Sequence, residues 1–486
     1  MPLLILAGER ALRLDTAKAF ALFDRALALT RPGEPERLRV LRFGTKVTIT
    51  TWGSEADLER RAIGDQALEE ARRQRDPLAE GEILSALSRL SWHAGDTARQ
   101  FELIEQAISI LERLPPGGEL ARALTRRASA LGLAGRDEEA LAAIDAALPL
   151  VREAGTESDL AVLLQFRGEA RTYRGEVAEG IEDHREGLRL ALEHATTEQV
   201  CAAHVNLGDA LWLTEGPAAG QELYERGIEF GRRRGAEVGV RWGRMQTMWT
   251  MFDLGRWDEL LATGEDLIAT ASDPAAQIPV LARIYREHVL IRRGASDGSV
   301  FESETLPRAL EIGDDQVVVP ALRVGALGRL SRHDRDGALG AIAELDARTV
   351  GRSGSRGWLL DEAAHVCREA GAADALRSVL GGHAPYLTRH RNGALGATAA
   401  LAELGGDLEA AIERYDGAAD AWASFPHVLQ HGLCLLSAGR CLLEVGRANE
   451  AGERGRAARD VFVGLGAAPL LAEADALLER ATALSG

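Results

Sequence analysis

Lysine is nearly missing from this chain of 486 residues: Lys18 and Lys46 are the only two among 57 basic residues, and the rest are arginine. Acidic residues number 74, so the formal charge is −17 and the overall field repels nucleic acid and anionic membrane. Three arginine groups (Arg72, Arg73 and Arg75; Arg232 to Arg234; Arg292 and Arg293) fall near the ends of predicted helices. There a cation complements the helix dipole, so none makes a basic patch. No Gly-Lys pair exists, which excludes a phosphate-binding P-loop. The four cysteines, Cys201, Cys367, Cys434 and Cys441, form no CxxC pair and no disulfide framework. No run of about 20 apolar residues is present, and the opening Met1–Ala7 run lacks a basic lead and a cleavage site. The expectation is a cytoplasmic protein with neither a nucleic-acid nor a membrane partner. Aromatics make up only 5% and the chain is rich in alanine and leucine, which favours helix over strand.

What is present is a repeat. Length alone suggests about three domains, but Gly95, Gly135, Gly175 and Gly255 are separated from one another by multiples of forty residues. Glu55 and Glu215 occupy missing multiples, and Leu14 stands one residue out of step. Each separates two helical patterns, and glycine suits a reversal that needs left-handed backbone angles. Other columns keep the period. Twelve after the turn stand Ala26, Ala67, Ala107, Ala147, Gly187 and Gly227; seven before it stand Ser88, Ala128, Gly168 and Gly208. Small residues at one level let backbones approach, while Phe23, Ile104, Ile144 and Tyr224, nine after the turn, fill the space between hairpins. Beyond the loop-like tract Gly294–Ser299 the count continues through His333, Gly371, Gly406 and Gly446. Tracts at 351–357 and 381–393 predict longer connections. Asp57, Asp76 and Asp96 read as helix-start residues.

This spacing resembles the tetratricopeptide repeat (TPR), with Ala19, Phe23 and Ala26, then Ala140, Ile144 and Ala147, matching its second helix. Ala411, Tyr415 and Ala418 match it after Gly406, and Leu435, Ala438, Gly439, Leu442, Gly446, Ala451 and Ala458 match it again. The departure is a period of about 40 rather than 34. The resemblance implies an all-α, right-handed α-solenoid of about twelve antiparallel helical hairpins. Residues 1–293 are expected to form a regular array, 294–300 an irregular seam, and 301–486 a second, less regular array. Leu12 to Leu29 reads as a full repeat with no capping hairpin before it, which points to a truncated product or a docking end. Such long, arginine-rich units are also similar to the helical-repeat regions of bacterial multidomain ATPase-type transcription regulators and nucleotide cyclases.

No catalytic constellation emerges. Gly464–Pro469 has half of a dinucleotide fingerprint but no preceding strand, and Gly351–Ser355 fails the nucleophile-elbow pattern. Asp334–Gly337 reads as a polar turn. His427, His431, Cys434 and Cys441 share one helical face but spread over about 21 Å, too far for one ion to take all four. No metal or other cofactor is expected.

In the family resembled, the residue three before each turn faces the concave groove. Here that column reads Trp52, Trp92, Gly132, Thr172, Trp212 and Phe252. Neighbouring columns add Trp249, Met245, Glu169, Asp209, Arg89 and Gln165. In that family a clamp of lysines and asparagines holds peptide carboxylates on this surface; Asn206 could serve as one such asparagine, but the lysines are absent and Trp242 and Gln246 replace basic positions in the following repeat. The candidate groove residues are therefore Trp52, Trp92, Gln165, Glu169, Asn206, Asp209, Trp212, Met245, Trp249 and Phe252. They would either stack on an apolar side chain or ringed ligand, or pack between repeats. The functional expectation is a non-catalytic scaffold that binds a protein or peptide partner along the groove. The alternative is a ligand-sensing regulatory arm of a multidomain ATPase, transcription regulator or nucleotide cyclase, answering to a small-molecule effector.

Overall fold

A computed structural model describes residues 2–11, 16–49, 56–93, 96–358, 360–381 and 384–485; the side chains of 16, 17, 46–49, 56–61, 93, 353 and 485 are outside that description. These residues are 84% helical, in 26 α-helices and no strand. The first half runs α1 (Pro2–Ala11), α2 (Thr16–Leu27), α3 (Pro35–Ile49), α4 (Ala56–Gln74), α5 (Pro77–His93) and α6 (Thr97–Leu111). Then come α7 (Gly118–Leu133), α8 (Asp137–Ala154), α9 (Glu157–Arg174), α10 (Val177–His194), α11 (Thr197–Glu215) and α12 (Pro217–Arg232). The middle holds α13 (Glu237–Asp253), α14 (Trp257–Ala269), α15 (Gln277–Arg293), a π-helical turn at Phe301–Thr305, α16 (Leu306–Ile312), α17 (Asp315–Ser331), α18 (Arg335–Arg348) and the short α19 (Ser353–Gly357). The chain closes with α20 (Leu360–Ala370), α21 (Ala373–Leu380), α22 (Thr388–Leu404), α23 (Leu408–Ser424), α24 (Val428–Glu444), α25 (Ala448–Leu465) and α26 (Ala468–Ser485). Setting α19 and α26 aside, consecutive helices pair into twelve hairpins.

Turn chemistry explains the boundaries. Gly135, Gly175, Gly255, Gly371, Gly406 and Gly446 all have positive φ, so the forty-residue glycine column sits where the backbone turns left-handed. His333 takes the same place at φ 64° without being glycine, exposed and held only by its backbone. Its Cβ costs roughly 1 kcal/mol in that region. His333→Gly is expected to raise the melting temperature by a degree or more, and a fall would show the imidazole to be holding the turn. Asp76, Asp96 and Asp334 accept from the backbone N–H three residues on, at the starts of α5, α6 and α18. Asp57 lies inside α4 instead.

The small columns mark helix crossings. A Cβ added at Gly168 would meet the Gly180 carbonyl at 2.6 Å, and one at Gly220 the Gly208 carbonyl at 2.8 Å. Backbone cannot yield as a side chain can, so α9–α10 and α11–α12 pack at glycine distance. Phe23, Ile104, Ile144 and Tyr224 are fully buried between hairpins. The largest apolar cluster extends from Trp212 to Ala481, and its members Ile291, Phe301 and Leu306 flank residues 294–300.

Two details differ from the sequence reading. Pro2–Ala11 is itself a helix, so the first hairpin is α1–α2 and Leu12–Leu29 holds only its second helix. The tract 381–393 is shorter as a connection, because α22 begins at Thr388. Gly393 there lets α22 approach α20: its Cβ would lie 2.7 Å from Asp361 Oδ1.

Candidate functional site

The array winds tightly enough to meet itself. A Cβ at Gly135, in the α7–α8 turn, would touch Arg352 after α18, and one at Gly175, between α9 and α10, would lie 2.7 Å from the Tyr386 ring before α22. Gly216, between α11 and α12, faces Phe425 and Pro426; Gly255, between α13 and α14, faces Val428 and Leu465. Each turn of hairpins four to seven therefore abuts the exit of the hairpin five further on. Small turn residues serve twice, once for backbone angle and once for this approach.

Two buried ion clusters fasten the coil. Asp253 at the end of α13 accepts from Trp212 Nε1 at 2.8 Å and Arg389 Nε at 3.3 Å, and lies 3.2 Å from His427 Nε2. Arg389 also donates to Asp361 at 3.0 Å. Burial pushes the Asp253 carboxyl up, yet Arg389 and His427 hold it below the ordinary value. In the second cluster Glu362 of α20 accepts from Arg292 at 2.8 Å and faces His288 at 3.1 Å, both on α15. Burial opposes ionisation of Glu362, but Arg292 and His288 keep it well below the carboxylate range. Both clusters join helices far apart in sequence.

Between the coils a cavity of about 160 Å³ remains. Its floor is α9, α11 and α13, with Glu169, Tyr173, Asn206, Asp209, Gln246 and Trp249. Asp137 at the start of α8 closes one side, and α17 and α19 cover it with Asp315, Arg352, Ser355 and Trp358. Trp358 stands edge-on to Trp249 at 4.2 Å between ring centroids, and to Trp212 at 5.6 Å. Gly354 lets the cover lie against Tyr173, since a Cβ there would fall 2.7 Å from that ring. Arg352 and Arg348 both pair with Asp315.

The floor is strongly acidic. Asp209 accepts from the Tyr224 hydroxyl, and Gln246 Nε2 lies 3.3 Å from both its oxygens. Burial nevertheless raises the Asp209 carboxyl to about 7. Glu169 has no hydrogen bond or ion pair among the described residues, and burial with the Asp137 and Asp209 charges raises it to about 8. Asp137 is raised to about 6, mainly by burial. His184, buried beneath, is lowered to about 4 and shares a hydrogen bond with Gln165 at 2.8 Å, so it is neutral. Gln246 Oε1 and Trp249 Nε1 are buried with no hydrogen-bond partner.

Of the residues marked in the sequence, Glu169, Asn206, Asp209 and Trp249 meet in this cavity. Gln165, Trp212, Met245 and Phe252 are buried as packing: Gln165 holds His184, Trp212 donates to Asp253, and Phe252 stacks on His288 at 4.3 Å. Trp92 is buried on α5 under the Arg89 guanidinium, away from the cavity. Trp52 lies outside the described residues. The histidines of the possible metal set are engaged separately, His427 with Asp253 and His431 with the Ala419 carbonyl at 2.9 Å. Among the described residues no cluster suits a metal ion and no helix is long and apolar enough to cross a membrane. A larger, shallower hollow around His204 is walled by the charged outer face of α12, including Glu222, Arg226, Glu229 and Arg233. Those charges already pair along the helix. The spacing of the sequence could not reveal Trp358 or Arg352, which arrive from a tract that reads as a connection.

No family model matches the chain, and no curated protein matches its sequence. Its fold matches a Rap protein solved with competence and sporulation factor, with a TM-score of 0.52 and 12% identity over 78% of this chain and 99% of that one. The fold is that of a TPR-like helical-repeat protein. Weaker similarity extends to the APC/C hetero-tetramer Cut9–Hcn1 (TM-score 0.45, 12% identity, 98% of each chain). A signal-transduction ATPase with a TPR sensor from Pyrococcus horikoshii gives a TM-score of 0.37 at 11% identity, covering 85% of this chain and 55% of that one. Within the coil, α9, α11 and α13 bring the cavity residues together on the side covered by α17 and α19.

Proposed function

We propose that the chain is a non-catalytic binding module that holds a protein or peptide segment on the inner face of its coil. The observation that supports this is the acidic, aromatic cavity on α9, α11 and α13, with buried polar atoms of Gln246 and Trp249 left unpaired. Unsatisfied buried groups cost about 1–3 kcal/mol each, a cost that a ligand offering the missing partners would offset. Catalysis has no comparable support: no nucleophile in the cavity is hydrogen-bonded to a base, and the four cysteines are buried with thiols pushed up to about 12. The inner-face position of the cavity agrees with a groove-binding scaffold. The regulatory-arm alternative gains no observation of its own.

Selection from a random peptide library against the full chain tests this reading. Enriched peptides should share a motif and lose at least tenfold in affinity on Asp209→Asn. Glu222→Gln, on the outer hollow, should leave them unchanged. Failure to enrich, or equal loss at both positions, would contradict inner-face binding.

A further inference from the structure

We propose that the cavity under α19 is a recognition site for an organic cation, an alkylammonium or guanidinium group carried by an amine or by a basic side chain. The inference adds a ligand chemistry to the binding reading above, and depends on that reading only where the cation belongs to a peptide.

Three independent observations carry it. First, the charges are unbalanced. Glu169 and Asp209 form no ion pair with any arginine or lysine among the described residues, while Arg352, the cation on the opposite wall, is bonded to Asp315. Buried like charges are unfavourable together, and a cation between them turns that repulsion into attraction. Second, Gln246, only 5% exposed, turns its amide toward Asp209 through Nε2 and keeps Oε1 without a partner. An unfilled acceptor beside two carboxylates asks for an N–H donor. Third, the walls are aromatic. Tyr173, Trp249 and Trp358 border the same space, and ring faces attract organic cations by about 0.5–2 kcal/mol while repelling carboxylates.

Size selects within that class. An engineered cavity of about 150 Å³ holds benzene, so about 160 Å³ accommodates the terminal six or seven heavy atoms of a ligand, whose remainder would lie outside it. That is the end of an arginine or lysine side chain, or a short alkyl amine. A drug-sized ligand would need about 300 Å³ or more. The unpaired Trp249 Nε1 would serve an oxygen close to the cation, as in a peptide backbone or an amino alcohol.

Binding should be linked to protons. The groups facing Glu169 are Asp137 from α8, Asp209 from α11 with Tyr224 from α12 behind it, Tyr173 on its own helix, neutral His184 from α10, and the Asp315–Arg352 pair from the cover. Burial raises Glu169 to about 8 and Asp209 to about 7, so near neutral pH the pair retains part of its protons, which an entering cation displaces as it favours the ionised forms. Affinity therefore rises with pH until both carboxylates are ionised in the free protein.

The test uses agmatine and n-pentylamine as cations, with n-pentanol and pentanoate as neutral and anionic controls. Titrations of the full chain are followed by calorimetry and tryptophan fluorescence at about pH 6 and pH 8. The expected result is saturable binding of both cations, at least fivefold tighter at the higher pH, with proton release into the buffer. Glu169→Gln, which keeps the shape, should weaken it at least tenfold; Glu222→Gln should not. Equal or better binding of pentanoate, or no saturable binding of either cation, would overturn the proposal. So would affinity unchanged in Glu169→Gln combined with Asp209→Asn. The peptide library separates the sources. Enriched arginine or lysine motifs that compete with agmatine identify a side chain, and no enrichment despite saturable agmatine binding identifies a free amine and removes only the peptide reading. Enriched peptides without a basic residue, bound in the cavity, would retain that reading and refute this one.

Discussion

Asp253→Ala should destabilise the protein by about 3–5 kcal/mol, because it removes one carboxylate that serves three buried groups. Trp212 Nε1 and His427 lose their partner, and the Arg389 guanidinium keeps only Asp361. Asp253→Asn should cost less, since its amide oxygen still accepts from Trp212. The loss should take a particular form. Repeat arrays unfold as a chain of neighbouring units, and Asp253 joins α13 not only to the adjacent α11 but also to α22 and the start of α24, far along the chain. Its removal should separate one thermal transition into two as the later hairpins undock. Since Asp253 titrates below the ordinary aspartate value in the folded state, its contribution is complete above about pH 4 and disappears as the pH falls below that. A melting curve within experimental error of the parent at neutral pH would show that the coil is held by other contacts.

Glu169→Gln should do the reverse and stabilise the protein. The folded-state value of about 8 lies above the ordinary 4.5, so the folded protein binds a proton that the unfolded chain has released. Stability is thus lost progressively as the pH rises through that interval, and the loss levels off above about 8. Glutamine does not titrate. The gain should be small near pH 5 and reach roughly 2 kcal/mol or more at pH 8, a rise of several degrees in melting temperature. A gain independent of pH, or a loss, would mean that Glu169 is already compensated. A residue whose removal stabilises the protein and weakens ligand binding is what a functional site requires.

The hairpins were legible in the sequence because their causes are local. A turn needing φ between 65° and 98° selects glycine at 135, 175 and 255, and a crossing at backbone distance selects glycine at 168 and 208. Periodicity also carried Glu169, Asp209 and Trp249 to one face, since residues forty apart in a solenoid are neighbours. Closure was not legible. Whether Gly175 meets Tyr386 depends on a small rotation per hairpin added over five hairpins, and no local pattern encodes that sum. Trp212 shows the consequence: its column marks an inward position, but closure sets Trp358 and the Arg389 guanidinium against its ring, so the position is buried rather than an open groove wall. The same closure brings Trp358 over the acidic floor. A tryptophan beside a tract of glycine, serine and arginine was the available signal, because a solvent-exposed connection has little use for an indole.

The coil closes on itself five hairpins apart and so builds the cavity. Spin labels at Glu176→Cys, next to the α9–α10 turn, and Ala384→Cys, beside Tyr386, measure that closure most directly, since both positions are exposed and the native cysteines are buried. A closed coil gives one narrow distance population at contact range that broadens and lengthens on Asp253→Ala. A long or broad distribution in the parent protein, unchanged by that substitution, would contradict it.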